Sequence, residues 1–446
     1  MRIVFFTHYF PPESNAPASR TYEHAKRWVE LGHQVTVVTC APNVPNGKVY
    51  EGYKNRIWPR RETVDGIDVL RLWTYVAANN GSRRRILNYA SYLFSAVLGF
   101  LLFCRRPDVI VATSPQFFCG WAGVISSYLT WCPNIVEVRD IWPESIVTVD
   151  AMKKGLFFRL LESMEKWMYR GASHIVTVGE GYKENILSKL PDYGEEPQRA
   201  KVSVITNGVD TDLFTPRASS PEFLNEHNVA DHFVCSYVGT VGMAHRLEVT
   251  IRAALKLKEQ GRQDILFLIV GDGACRKDLE KQVQDAGVTD LVRFTGRIPR
   301  DRIPTVLASS DCLLVHLRKS LLFETVIPSK MFEAMAMERP VVMGVRGEAA
   351  EIVRRSHSGI DMEPENADDL VEAVTRLADD RELCRSLCNS SYVANHYSRD
   401  RLALDYLEII KAVTNGSAVP DHHSVPAYSS VQSPARAVAG SNLTSE

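Results

Sequence analysis

The chain contains no Cys-x2-Cys pair, and its 9 cysteines, an odd number, are scattered from Cys40 to Cys388. This pattern excludes a disulfide framework, argues against structural zinc and fits reduced thiols in a cytoplasmic protein. Net charge is almost absent too, −1 from 52 Lys+Arg and 53 Asp+Glu. With no zinc-finger, RNP-like or basic-zipper spacing either, nucleic acid is not an expected partner. No Gly-x-Gly-x-x-Gly opens either strand-helix series, which disfavours a nicotinamide dehydrogenase. No Asp-x-Asp stands at the end of an expected strand, so neither a metal site nor a cofactor is expected. The opening apolar run, MRIVFFTHYFPPES, is cut by His8 and two prolines. It is too short for a signal-peptide core, and a cytosolic location is expected. What remains is ordinary globular composition, 45% hydrophobic and 24% charged over 446 residues, enough for two or three domains and unlike a disordered chain, collagen or a coiled coil.

Short β-branched runs alternate with segments of helical length. RIVFFTH, QVTVVTC, DVIVAT, NIVEVRD and HIVTVG occupy the first half, and FVCSYVG, ILFLIVG, LVRFTG, DCLLVH and PVVMG the second. Continuous apolar strands separated by helices imply parallel sheets covered on both faces. The stretch VSVITNGVDTDLFTP between the two series carries the Asn-Gly and Pro punctuation of a connection. The expectation is an α/β chain of two doubly wound Rossmann-like domains, 1–206 and 207–396, facing a cleft beyond the carboxyl ends of their strands. A C-terminal helix over 397–415 and a disordered tail over 416–446, poor in large apolar residues, complete it.

The strongest local signal is FETVIPSKMFEAMAMERPVV, residues 323–342. Pro328 and Ser329 read as a helix start, and Arg339-Pro340 as its end before a strand. Free amides there, with the helix dipole and Lys330, make a site for a pyrophosphate. Glu333, one turn in, is placed to accept from two adjacent hydroxyls of an attached ribose. The alternative, a capping-box glutamate for Ser329, would need its glutamate at position 332, which is phenylalanine.

These residues resemble the retaining glycosyltransferases of the two-Rossmann-domain (GT-B) architecture, family 4. Their signature pairs two glutamates, the second on a helix of the form Glu-Ala-Met-Ala-x-Gly-x-Pro-Val, and Glu333-Ala-Met-Ala-Met-Glu-Arg-Pro-Val is similar. VITNGVDTDLF (204–214), YVGTVGMAHRLE (237–248), VGDG (270–273) and VRFTG (292–296) resemble further segments in the same order. The resemblance implies that Glu333 holds the ribose of a nucleotide sugar and that Glu324 or Thr325, with Lys330, meets the donor sugar and diphosphate; the family spacing falls on Thr325, while the glutamate is at 324. It implies donor binding by Gly239, Thr240, Gly242, Arg246, Gly271, Asp272, Arg297, Ser329, Lys330 and Glu333. Thr240 and His245 stand where relatives place basic residues, so Lys330 and Arg246 are expected to supply the charge. HYFPPES (8–14), VRDIWPES (138–145) and ETVIPSKMFE (324–333) resemble the subgroup that builds bacterial surface polysaccharides, including N-acetylfucosaminyl transferases acting on lipid-linked sugars. His8, Ser14, Asn15, Arg139 and Asp140 then become acceptor-binding candidates, with a structural ion pair as the alternative for Arg139 and Asp140.

Residues 1–106 hold 15 Lys+Arg against 7 Asp+Glu, and the remainder 37 against 46. Within the basic part, ILNYASYLFSAVLGFLLFC (86–104) is flanked by Arg83-Arg84-Arg85 and Arg105-Arg106. A strand of the same cytosolic domain follows, so a surface-lying helix that dips into anionic headgroups is expected rather than a span, with burial against the sheet as the alternative. The implied enzyme is a hexosyltransferase-type protein, peripheral on the inner face of the cell membrane. It moves a sugar from a nucleoside-diphosphate donor, uridine-linked by expectation, to a lipid-linked saccharide with retention and without a metal. Two rivals are a nucleotide-sugar 2-epimerase, separable by its product from donor alone, and a non-catalytic membrane-docked scaffold, separable by loss of all transfer and donor hydrolysis.

Overall fold

The computed structural model describes residues 1–13, 15–44, 47–77, 82–114, 116–144, 155–190 and 200–420. Two sheets organise them. The first contains β1 (Arg2–Phe6), β2 (Gln34–Cys40), β3 (Arg60–Val64), β4 (Ile67–Leu72), β5 (Val109–Thr113), β6 (Asn134–Val138), β7 (His174–Thr177) and β8 (Val202–Val204), in the order β3-β4-β2-β1-β5-β6-β7-β8. The second contains β9 (Phe233–Val238), β10 (Ile265–Val270), β11 (Val292–Gly296), β12 (Cys312–His316), β13 (Val341–Gly344) and β14 (Gly359–Asp361), in the order β11-β10-β9-β12-β13-β14. Every pairing is parallel except β3 with β4. All ten apolar runs form strands, because β-branched side chains buried on both faces suit a pleat covered by helices. Each sheet reverses its winding once, between β1 and β5 and between β9 and β12, and crevices open beyond the strand ends at those points.

Four strands depart from the expected pattern. Val202–Val204, read as connection, is the edge strand β8. The β3-β4 hairpin was not anticipated because β3 is RRETV, a charged edge strand with no apolar run. β14 is only three residues long and half-exposed, too short for a periodic signal. All nine cysteines are free.

The first domain's helices include α1 (Ala16–Glu30), α2 (Ser82–Phe103), α3 (Phe117–Thr130), α4 (Leu156–Gly171) and α5 (Glu180–Ser188). α2 packs one face on the sheet, as the burial alternative has it, and leaves the other outward. Tyr92, Ala96 and Phe100 are buried against the sheet, and the Tyr92 hydroxyl donates to Val38 O at 2.8 Å. Its outer stripe of Leu87, Phe94, Leu98, Leu101 and Leu102 is exposed, so Ile86–Phe103, long and apolar enough to cross a membrane, is only 33% buried. Its polar residues are absorbed locally, since Asn88 donates to Tyr75 O and Tyr75 N donates to the Ser91 hydroxyl.

The terminal helix, Arg399–Asn415, returns to the first domain. Leu402, Tyr406, Leu407, Ile409 and Ile410 share a core with Phe5, Trp28 and Val37, and Trp28 Nε1 donates to Ala403 O at 3.0 Å. The chain thus crosses between domains twice, and the crossings are bridged at Val209 and Ser398. Gly208 is required there, because a Cβ would lie 2.4 Å from Tyr397 O. The expectation of a disordered tail is corrected at its start: Gly416 caps the helix in the left-handed conformation, and Val419 packs on the first core. Residues 421–446 of that expectation lie outside the described residues.

Candidate functional site

At the carboxyl ends of β9, β10 and β11 the backbones nearly touch. Gly239 and Gly271 adopt φ of 144° and 143°, and a Cβ on Gly271 would stand 1.8 Å from Gly239 O. Gly271 N donates to Gly296 O and Val241 N to Asp272 O, so Gly239–Gly242 and Gly271–Gly273 form one tight shelf. Only glycine permits that approach. A Cβ on Gly242 would make only ordinary contacts, 3.7 Å from the Thr240 methyl and 3.8 Å from His245 Nδ1, and Tyr237 braces the shelf by donating to Thr240 O at 2.7 Å.

Lys330 reaches this shelf from the start of the helix Lys330–Ala336. Its Nζ lies 3.7 Å from the Tyr237 ring centroid and 3.0 Å from where a Gly239 Cβ would be. The amine is sealed from solvent and has no hydrogen-bond partner among the described residues. Burial lowers its pKa to about 7, opposed only by Glu333. A lone buried cation is costly unless an anion joins it. His245 beside it is held neutral, its pKa lowered to about 3 by burial and then by Lys330. Arg246, in the left-handed conformation, points to Glu365 at 4.0 Å, and its Nε is sealed without a hydrogen bond.

The helix start is tighter than expected. The amides of Met331 and Phe332 are consumed by Pro328 O and Ser329 O. Among the described residues no backbone carbonyl accepts from Ser329 N or Lys330 N, so two amides are left over at the helix start rather than a full set. Ser329 makes no side-chain cap bond, so the capping-box alternative for Glu333 is not realised. Burial raises the Glu333 pKa, and Arg300 and Lys330 oppose the rise. Glu324 and Thr325 sit on the one-turn helix Phe323–Thr325 and diverge. The Thr325 hydroxyl donates to Leu322 O at 2.7 Å, and its methyl lies 2.7 Å from where a Gly181 Cβ would stand. Thr325 is therefore packed on α5 of the first domain. Glu324 lines a small recess with Arg318, Lys319 and Arg346.

The domains meet through charged contacts that the sequence did not signal. Arg300 donates to the Ser19 hydroxyl and to Glu23 of α1 at 3.2 and 3.4 Å, and Glu23 also pairs with Arg399. Gly181 N donates to the buried Glu348 carboxylate of the second domain, whose pKa burial raises to about 7. Between these contacts lies a narrow cavity of about 20 Å³, lined by Ala16, Arg20, His24, Arg139, Asn207 and Ser329.

The family model described as "Glycosyl transferase 4-like domain" matches residues 15–208, and "Glycosyl transferases group 1" matches residues 220–393. The chain belongs to the GT-B glycosyltransferases of family 4. Among its relatives, WcaI of Escherichia coli, whose name provisionally assigns it to colanic acid biosynthesis, is 23% identical over 76% of this chain and 81% of its own length. An uncharacterized glycosyltransferase of Methanocaldococcus jannaschii is 26% identical over 92% of this chain and 98% of its own. Among solved structures, HepE of Anabaena in complex with UDP-glucose superposes with a TM-score of 0.68 at 16% identity, over 92% of this chain and 100% of that one. WaaG, a glycosyltransferase involved in lipopolysaccharide biosynthesis, gives 0.64 at 17%, over 91% and 99%. At these identities the likeness speaks for the fold.

In this glycosyltransferase the acceptor candidates scatter. Ser14 lies outside the described residues. Asn15 is the N-cap of α1, its side chain accepting from Ala18 N at 2.9 Å, so its carbonyl oxygen is already used. His8 is 3% exposed, ringed by Tyr9, Tyr89 and Tyr92, with burial lowering its pKa to about 4. It packs the strand end and offers no edge to the cleft, which corrects the expectation. Arg139 does line the cavity, and its Nε and Nη1 are sealed with no hydrogen bond among the described residues. Asp140 follows β6, close enough to raise the pKa of Tyr182. Arg297 is exposed at the end of β11 and near enough to Tyr50 of the first domain to influence its ionisation. Two residues were missed. Glu13 is buried and accepts from Phe10 N, Asn43 N and Val44 N, tying the loops after β1 and β2 together. Arg20 donates to Glu137, Ile205 O and Thr206 O, locking α1 to the crossing segment. Glu13 stands in a Pro-Pro-Glu loop directly after a buried strand, the one local hint of its role.

Proposed function

We propose that the protein transfers a sugar from a nucleoside-diphosphate donor, uridine-linked, with retention, to a lipid-linked saccharide in bacterial surface polysaccharide assembly. The observation that carries the donor side is the sealed, partnerless Lys330 amine between the glycine shelf and Glu333. A diphosphate seated there neutralises the amine, meets the amides of Ser329 and Lys330, and brings the ribose to Glu333. The UDP-glucose complex of HepE and the lipopolysaccharide role of WaaG, on the same fold, support this reading. Fixed amides and cations stabilise the departing diphosphate while the sugar passes through an oxocarbenium-like state. The acceptor hydroxyl arrives on the leaving-group face and passes its proton to the phosphate oxygen. Glu324, rather than Thr325, is left free to meet the donor sugar.

The protein works as a peripheral enzyme on the inner face of the cell membrane. The outer stripe of α2 supports this, together with Tyr128, Leu129 and Trp131 at the end of α3 and Leu156, Phe157, Leu160 and Trp167 on α4, all exposed. Monomeric surfaces seldom present so much apolar area without a partner or a bilayer to cover it. The test is purified protein with a panel of nucleotide sugars and a membrane lipid extract, products read by mass spectrometry. Transfer that Glu333→Ala slows by about 30- to 1,000-fold in a folded protein is expected, and wild type that consumes no donor would refute the reading.

A further inference from the structure

We infer that the loop between β2 and β3 holds a binding groove for the phosphate group of a membrane lipid. The groove, about 450 Å³, lies at the ends of β2 and β4 and is lined by Lys54, Arg56, Trp58, Arg60 and Arg71. It is built rather than loose. Asn55 donates to Thr74 O at 2.6 Å and accepts from Thr74 N at 3.1 Å, and Arg60 donates to Gly52 O at 3.0 Å. The Tyr53 ring is stacked by Arg60 and Arg71, 5.1 and 4.9 Å from its centroid. Glu62 is spent on Arg71 and Arg60, at 2.6 and 3.3 Å. Lys54 and Arg56 are exposed and make no ion pair with any described residue. Arg71 is spent on Glu62, Cys40 O and Pro11 O and interacts with Glu13 as well, so Lys54, Arg56 and Arg60 carry the positive charge that suits a phosphate.

The neighbourhood decides the source of that phosphate. Ile57 and Trp58 project from the groove rim, 88% and 76% exposed. Trp58 rests edge-on against Phe103 of α2, 5.9 Å between ring centres, and Arg61 donates to Phe103 O at 2.6 Å. The rim therefore runs into the α2 stripe of Phe94, Leu98, Leu101 and Leu102, beside exposed Arg105 and Arg106. Apolar tips beside cations match the layering of a bilayer surface, acyl chains below phosphates, with tryptophan at the boundary. A free phosphate would make no use of Ile57 and Trp58.

This inference rests on the membrane reading above, and the test separates the two. Full-length protein is floated with vesicles of phosphatidylcholine alone or with phosphatidylglycerol added, and titrated separately with inorganic phosphate and diphosphate. Wild type is expected to prefer the phosphatidylglycerol vesicles. Lys54→Gln with Arg56→Gln should lose about tenfold of that preference, Trp58→Ser should weaken binding to both vesicles, and both variants should keep wild-type melting and transfer to a water-soluble acceptor. If the double variant floats like wild type while Phe94→Ser with Leu98→Ser does not, the groove is refuted and the membrane reading stands. If wild type binds no vesicle, both fall. If binding is to inorganic phosphate or diphosphate and not to vesicles, the lipid assignment is overturned.

Discussion

If the donor diphosphate seats on Lys330 as proposed, donor binding is a proton-coupled event. The free Lys330 amine is held near a pKa of about 7 by burial, against an ordinary value of 10.5. A seated diphosphate supplies the missing counter-charge and moves the pKa back up, so above about pH 7 each nucleoside diphosphate bound must draw one proton from solvent. Affinity for UDP should then fall about 50-fold between about pH 7 and pH 9, approaching tenfold per pH unit above about pH 8. Calorimetry in two buffers of different ionisation enthalpy reads the uptake directly. Lys330→Arg should bind UDP with no such slope, because a guanidinium stays charged throughout. The same shift predicts a stability effect. The folded pKa lies below the unfolded one, so the penalty is complete below about pH 7, shrinks as pH rises and vanishes above about 10.5, with a ceiling on the order of 5 kcal/mol at neutral pH. Lys330→Met should therefore raise the melting temperature at neutral pH and raise it less at pH 9. Wild-type UDP affinity that stays flat from pH 7 to 9 without proton uptake would refute the reasoning.

Glu333→Ala should cost about 2–4 kcal/mol in kcat/KM for transfer while melting normally; a folded variant with near-normal turnover contradicts the ribose assignment. Thr325→Val should keep near-wild-type turnover, since its hydroxyl serves only Leu322 O, whereas Glu324→Gln should depress kcat; the reverse order in initial-rate assays would show that Thr325 faces the sugar. Gly271→Ala places a Cβ 1.8 Å from Gly239 O and should destabilise by more than about 3 kcal/mol, read by denaturant titration. Phe94→Ser, Leu98→Ser and Leu102→Ser together should move protein from the membrane fraction to the soluble one without lowering its melting temperature, because all three side chains are exposed.

The sheets were legible because buried parallel strands are written as unbroken apolar runs, and all ten recognised runs are strands. β3 escaped because an edge strand buries little and RRETV carries no apolar run. The terminal helix was legible as a helix, but its return to the first domain depends on Trp28 and Tyr406 meeting across nearly the whole chain, which no local pattern records. Within the candidate site, the helix start at Lys330 was legible from Pro328 and Ser329, and the structure places the Lys330 and Glu333 side chains there, their ionisable groups buried and near one another. The Arg300, Glu23 and Arg399 contacts were not legible, since each side chain reads as solvated until the domains are brought face to face. His8 misled for the opposite reason: the end of a strand is a place for chemistry, but here three tyrosines close over it.

The central claim is that this chain moves a sugar from a nucleoside diphosphate to a lipid-linked acceptor with its anomeric configuration kept. The most direct measurement incubates purified protein with a carbon-13-labelled UDP-sugar and a bacterial lipid extract, then reads the lipid fraction by mass spectrometry and the labelled anomeric centre by NMR. The account predicts a lipid heavier by one sugar residue, with the donor's anomeric configuration and stoichiometric UDP release. An inverted centre, an epimerised nucleotide sugar formed without acceptor, or no mass gain with any donor of the panel would contradict it.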